Sequence, residues 1–294
     1  MSTPLAELAA IVAPTFVGAA IGFIWTRAGR QFHQRFVTAL VTSVGTPFLV
    51  FSALTKHELD LAILTQMAAA TLLAFCGFAA VSILILRLVR LPLHSFLPAL
   101  MFPNSGNMGL PLCLYAFGEK GLALAIVFFS ISATLQFTVG IGLSAGSADP
   151  RRLLRMPLTY AVLAALVVMI WRLPVPGWLA NTSELLGGIT IPLMLIALGV
   201  SLAELKVNNL GRSLALSLAR IVPGSAIGFA VGWLLGLNDQ AIGVLTIQSG
   251  MPVAVFNYLF AQMYNRQPVE VAGMVFVSTL LSFAVIPVLL IYLL

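Results

Sequence analysis

The sequence predicts an all-α polytopic membrane protein: ten transmembrane helices arranged as an inverted five-helix repeat, with the fourth and ninth helices broken. Three observations carry this reading. Of 294 residues, 60% are hydrophobic and 8% charged, with a mean hydropathy of +1.06, more apolar than a soluble core of this size requires. Charged residues and Pro/Gly-rich breaks divide the chain into ten apolar segments near the length of about 20 residues that crosses a hydrocarbon core as a helix. Finally, Gly109-Leu110-Pro111-Leu112-Cys113-Leu114-Tyr115 is echoed by Gly250-Met251-Pro252-Val253-Ala254-Val255-Phe256. Paired interruptions of this kind mark the binding site of a secondary transporter.

The first span, Leu5 to Trp25, has no Lys or Arg ahead of it and is followed directly by Arg27 and Arg30. That is the wrong charge order for a cleavable signal peptide, so this segment is expected to stay as a spanning helix. The second, Phe36 to Leu54, carries Pro47, and the third runs from Leu61 to Leu86. The fourth, Leu93 to Phe117, contains the run Met101 to Tyr115, with two asparagines, two glycines and two prolines inside apolar sequence after Met101. The fifth is Leu122 to Ser144, the sixth Leu158 to Trp171, and the seventh Trp178 to Leu202, which carries Pro192. The last three are Ser213 to Leu235, Gln240 to Met263 with the second break, and Val269 to Tyr292.

Loops after odd-numbered spans hold eleven Lys and Arg residues, against Lys56, Lys120 and Arg172 in the others. Cytoplasmic loops retain positive charge during insertion, so both termini are expected to be extracytoplasmic. The net charge of +6 is spread singly between apolar stretches; the partner it implies is the lipid bilayer, with no nucleic acid. The bacterial inner membrane is the expected location.

The halves match in order. Ile24-Trp25 resembles Ile170-Trp171, Pro47-Phe48-Leu49 resembles Pro192-Leu193-Met194, Gly77-Phe78-Ala79 recurs as Gly228-Phe229-Ala230, and Val127-Phe128-Phe129-Ser130 resembles Val275-Phe276-Val277-Ser278. This collinearity defines repeat one as 5–146 and repeat two as 155–292 within a single transporter domain. Five helices per repeat is an odd number, so the second enters the membrane from the opposite side.

Backbone groups freed at a break must lie inside protein or line a wet cavity. A half-helix that begins at the break presents free N–H groups and a positive dipole end, which attract a carboxylate, while one that ends there presents carbonyls to a cation or donor. Around Gly109 and Pro111 stand Asn104, Ser105 and Asn107; around Gly250 and Pro252 stand Gln248, Ser249 and Asn257. These six polar residues are the candidate substrate-binding set, although Asn and Ser also cap broken helices. Pro47 and Pro192 are expected to kink their helices.

Arg220 is the one basic residue well inside a span and is expected to snorkel to the interface; His94 is expected at the interface. Glu7, Glu58, Asp60, Glu119, Asp149, Glu184, Glu204, Asp239 and Glu270 all fall in loops or near helix ends. With no carboxylate at depth, cation antiport is disfavoured and an anionic substrate favoured. Cys76 and Cys113 sit in apolar segments as packing residues, so neither a disulfide nor a metal site is expected, and no cofactor is implied. No embedded His or carboxylate accompanies a nucleophile, which argues against an enzyme.

Asn104 seven positions before Pro111 within NSGNMGLPL, the stretch IPLMLIALGVSL around Pro192, and Ser249-Gly250-Met251-Pro252 leading to Ala261-Gln262-Met263-Tyr264-Asn265 resemble the auxin efflux carrier family, specifically its short bacterial members. The resemblance covers nearly the whole chain. It implies a fold like that of sodium/proton antiporters and bile-acid symporters. Helices one, two, six and seven would form a scaffold, helices three to five and eight to ten a transport unit, and helices four and nine would cross at Pro111 and Pro252. It also implies a homodimer, carboxylate binding by Asn104, and a substrate such as malonate or an auxin-like acid. Two departures from the plant pattern stand out: no long hydrophilic loop separates the halves, and Asn257 stands where plant carriers have a further proline. A sodium-coupled bile-acid-type symporter and a non-transporting sensor or scaffold are the alternative functions.

Overall fold

The computed structural model describes residues 4–56, 61–146 and 150–293. Glu58, Asp60 and Asp149 lie outside the described residues, as does part of the link between the halves. Fourteen α-helices occur among the described residues: α1 Pro4–Arg27, α2 Gln34–Leu40, α3 Thr46–Thr55, α4 Leu61–Leu88, α5 Leu93–Met101, α6 Leu110–Leu135, α7 Ile141–Ala145, α8 Pro157–Ile170, α9 Gly177–Gly188, α10 Thr190–Glu204, α11 Leu210–Leu234, α12 Asp239–Ser249, α13 Val255–Met263 and α14 Pro268–Leu293. No strand forms among them; one isolated bridge joins Pro103 and Val253.

Among the described residues, seven helical stretches are long and apolar enough to cross a membrane: Leu8–Arg27, Gln34–Thr55, Leu61–Leu88, Ser105–Ala145, Gly177–Glu204, Leu210–Leu234 and Pro268–Leu293. This is fewer than the ten spans expected, and the reason is physical. The stretch Ser105–Ala145 has 41 residues, roughly 60 Å of helix against a hydrocarbon core of about 30 Å. It breaks at Gly118, whose φ of 65° and ψ of −163° are non-helical. Conversely α8 has 14 residues, and the two pieces around the second break have 11 and 9.

Three π-helical segments interrupt the α-helices, at Val41–Gly45, Ser105–Gly109 and Gln136–Gly140. The first two directly precede Pro47 and Pro111. A proline lacks the N–H of its own turn and clashes with the carbonyl four residues back, so the turn before it widens. Pro192 behaves comparably: the helix is interrupted at Ile189, between α9 and α10.

Helix packing falls into two groups. In one, α1 lies on α10, and α3 on α8 and α9. Gly22 and Gly199 allow the close approach of α1 and α10: a side chain on Gly22 would meet the Ile196 carbonyl, and one on Gly199 the Ala19 carbonyl, the small-residue contact that holds membrane helices together. In the other group α11 packs on α4, α12 and α14, α5 on α4, and α13 on α14. Side chains such as Ile21, Leu72, Leu84, Leu163, Leu218 and Val288 are exposed, as lipid-facing residues are.

Candidate functional site

The two breaks meet. Helix α5 ends at Met101, and Phe102 is extended at φ −100° and ψ 107°. Helix α12 ends at Ser249, and the chain resumes as α13 at Val255. Between these ends the backbones pair antiparallel: Asn104 N–H donates to the Pro252 carbonyl at 2.7 Å, and Ala254 N–H donates to the Phe102 carbonyl at 3.2 Å. Val253 N–H donates to Ser278 Oγ at 3.0 Å. These bonds satisfy backbone groups that lipid could not.

The two backbones pair at Pro103 and Val253, eight residues before Pro111. Gly109 ends the π-helical segment and Pro111 lies in the first turn of α6. The helix is continuous there from Ser105, and the widened π-turn accommodates the N–H that Pro111 lacks, whereas Pro103, which also lacks an N–H, suits the extended strand-like position. Gly250 and Pro252 do belong to the second break, immediately before the paired residue.

A cavity of about 260 Å³ opens beside the crossing, lined by Pro103, Asn104, Ser105, Gly106 and Asn107 from the first break and by Ala254 and Phe256 from the second. Asn104 is 3% exposed and its Nδ2 has no hydrogen-bond partner. Ser105, Gly106 and Asn107 begin the helical segment, so their N–H groups have no carbonyl behind them within it. Val255 and Phe256 begin α13 in the same way. Two positive helix ends and an amide N–H group thus converge on one space. The remaining lining is largely apolar: Phe129, Ala133, Phe137, Met156, Pro157, Leu158 and Met194.

The other three candidates stand behind the crossing rather than in this cavity. Asn257 is a bridge: its Nδ2 donates to the Phe102 carbonyl at 3.0 Å, and its Oδ1 accepts from Gln136 Nε2 at 3.0 Å. The freed carbonyl of the first break consumes the amide that would otherwise reach a ligand. Gln248 and Ser249 are fully buried. Gln248 Oε1 lies where a side chain on Gly109 would be.

Arg220 does not snorkel. It is 1% exposed, donates from Nη2 to the Ser249 carbonyl at 2.9 Å, and stacks over Phe78 with its guanidinium carbon 5.0 Å from the ring centroid. Its helix begins at Leu210, so Arg220 sits about 15 Å in, near the middle of a hydrocarbon core of about 30 Å. An acceptor at that depth competes successfully with the distant interface.

Several lining residues went unread in the sequence. Thr38, Thr42 and Thr46 follow one another at four-residue spacing and line the cavity, as do Gln136 and Arg155. The four-residue period and a glutamine inside an apolar helix were the available signals. Thr46 Oγ1 is buried without a partner.

Through Thr38, Thr42 and Asn107 the cavity adjoins a smaller hollow of about 50 Å³, and through Gln34, Thr38, Thr42 and Ser201 that hollow adjoins a vestibule of about 890 Å³ lined by His33, Arg35, Glu204 and Gln262. A separate hollow of about 270 Å³, lined by Lys56, Tyr115, Glu119 and Glu184, shares no lining residue with the cavity. There Glu184 accepts a hydrogen bond from Lys56 at 3.0 Å and holds its ammonium pKa above the ordinary value.

A family profile described as a membrane transport protein matches residues 143–290. An uncharacterized transporter of Methanocaldococcus jannaschii is 25% identical over 275 residues, 87% of this chain and 89% of that protein. A second uncharacterized transporter, from Methanothermobacter thermautotrophicus, is 27% identical over 191 residues, 63% of each chain. Auxin efflux carrier component 4 of Arabidopsis thaliana is 27% identical over 149 residues, 48% of this chain and 24% of that carrier. With its broken helices joined beside a cavity and its membrane-length apolar helices, the chain belongs to the membrane transport protein family, that of the auxin efflux carriers, and is a multi-pass membrane transporter.

Proposed function

We propose that this chain is a secondary carrier of a small organic anion that works by alternating access. The observation that carries the reading is Asn104, a cavity-lining residue whose buried Nδ2 has no partner, beside a cavity onto which two half-helix N-termini open. A carboxylate there accepts from Asn104 and from the N–H groups of Ser105, Gly106 and Asn107, with Phe256 N–H on the opposite side. Apolar walls from Phe129, Phe137, Met194 and Phe256 suit the apolar body of an auxin-like acid, while Thr46 and Arg155 in the same lining offer partners to a second carboxylate such as that of malonate. Arg155 at the rim draws anions inward.

In this reading the chain crosses the membrane ten times. The long helical stretch Ser105–Ala145 turns at Gly118, its first part completing with α5 the fourth crossing and its second part making the fifth; α8 makes one short crossing, and α12 with α13 makes the ninth. Repeat one spans 5–146 and repeat two 155–292. Scaffold helices are α1, α2–α3, α8 and α9–α10; α4 to α7 and α11 to α14 move together. The packing of α1 on α10 and of α11 on α4, α12 and α14 supports that division. The vestibule containing Arg35 lies on the arginine-rich, cytoplasmic side, which makes this an inward-open form with both termini outside. The scaffold helices also provide the surface for a homodimer.

Proteoliposomes with the purified chain, loaded with unlabelled acid, test the reading by counterflow of labelled indole-3-acetate and, in parallel, labelled malonate. Uptake above that of protein-free liposomes is expected for the first, and the second measures whether a dicarboxylate is also carried. Uptake of neither overturns the proposal.

A further inference from the structure

Arg220 is the one charged residue among the described residues whose whole side chain is buried. No carboxylate neutralises it: the ion pairs among the described residues are Lys56 with Glu184 and Arg212 with Glu270. Its partners are instead the Ser249 carbonyl and the face of Phe78. Ser249 is the last residue of α12, so the guanidinium caps the carbonyl end of a half-helix at mid-membrane depth. Gly224, one turn further along α11, brings the two helices together, because the Ser249 carbonyl occupies the space a side chain there would need. Arg220 Nε, Ser249 Oγ and both polar atoms of the Gln248 amide are buried without partners.

A carbonyl end exposed at a helix break carries partial negative charge, and secondary carriers use such ends to coordinate a coupling cation. Here that position already holds a cation. A guanidinium does not lose its proton in proteins, and a buried charge persists only with compensation of the kind the carbonyl and the aromatic face supply.

We propose that Arg220 is a built-in cation: it takes the place of a free coupling ion at the second break, so that the empty carrier holds one fixed positive charge behind the crossing and binds no sodium there. The significance of the charge rests on the anion-carrier reading, but the test below uses no organic anion, so the two fail separately.

The purified full chain is melted in sodium, potassium or choline chloride at equal ionic strength. The wild-type midpoint is expected to be the same in all three. Arg220→Ala is expected to melt about 4–8 °C lower and to recover at least half of that loss in low-millimolar guanidinium, with choline giving none. Arg220→Lys, which keeps a charge, is expected to fold and to stay indifferent to sodium. Selective, saturable stabilisation of the wild type or of Arg220→Lys by sodium overturns the proposal, as does an Arg220→Ala protein that melts like wild type or gains no more from guanidinium than from choline. If Arg220→Ala yields no folded protein, the wild-type and Arg220→Lys sodium comparisons decide.

Discussion

Asn104 donates its backbone N–H to the carbonyl of Pro252 at 2.7 Å while its side-chain Nδ2 remains unpartnered beside the cavity. One residue thus joins the two broken helices and lines the cavity beside them. The bonds from Ala254 and Asn257 to the Phe102 carbonyl tie the same two breaks together beside it.

Asn257 holds that junction from behind. Replacing it with Ala removes both its bond to the Phe102 carbonyl, which keeps the one from Ala254 N–H, and its bond from Gln136, leaving the buried Gln136 amide without this partner at a cost of about 1–3 kcal/mol. Thermal melting in detergent should show a loss of about 2–12 °C for a chain of this size class. Asn257→Asp, which cannot donate to Phe102, should not restore it.

Gly118 stands at φ 65° and ψ −163° with open space where a side chain would project. That backbone region is nearly glycine-only and strained by about 1–3 kcal/mol for other residues. Gly118→Ala is therefore expected to lower the melting temperature with no change in substrate affinity, since nothing crowds the added methyl. A wild-type melting temperature in this variant would contradict the kink.

The orientation is checked by accessibility. In a Cys76→Ala, Cys113→Ala background, Thr42→Cys lines both the cavity and the hollow that leads to the Arg35 vestibule. A membrane-impermeant thiol reagent should label it in inside-out vesicles at least several-fold faster than in right-side-out ones. A cysteine at Tyr115, in the separate hollow, should show the opposite preference.

Much of this was readable before any coordinates. Gly, Pro and Asn clusters located both breaks, because each of those residues disfavours a continuous helix for its own reason. What the sequence did not carry is which of two nearby prolines lies at the backbone pairing. Pro111 lies inside the helix that begins at Ser105, and only the pairing of Pro103 with Val253 shows that the extended backbone lies earlier. Arg220 illustrates the same limit: its depth depends on where α11 begins, and its partner lies 29 positions away. Asn257 and Asn104 are the same amide in similar settings, yet the Nδ2 of one is consumed by a carbonyl and that of the other is left without a partner. Such a difference is set by tertiary neighbours, as is the choice of Thr38, Thr42 and Thr46 to face inward.

The most direct measurement is the dissociation constant and counterflow rate for labelled indole-3-acetate in wild-type and Asn104→Ala proteoliposomes. Loss of a hydrogen bond to a carboxylate is worth about 1.5–3 kcal/mol, so the variant should bind about 10- to 150-fold more weakly while still melting within a few degrees of wild type. Unchanged affinity and rate in Asn104→Ala would contradict the placement of the anion at this residue.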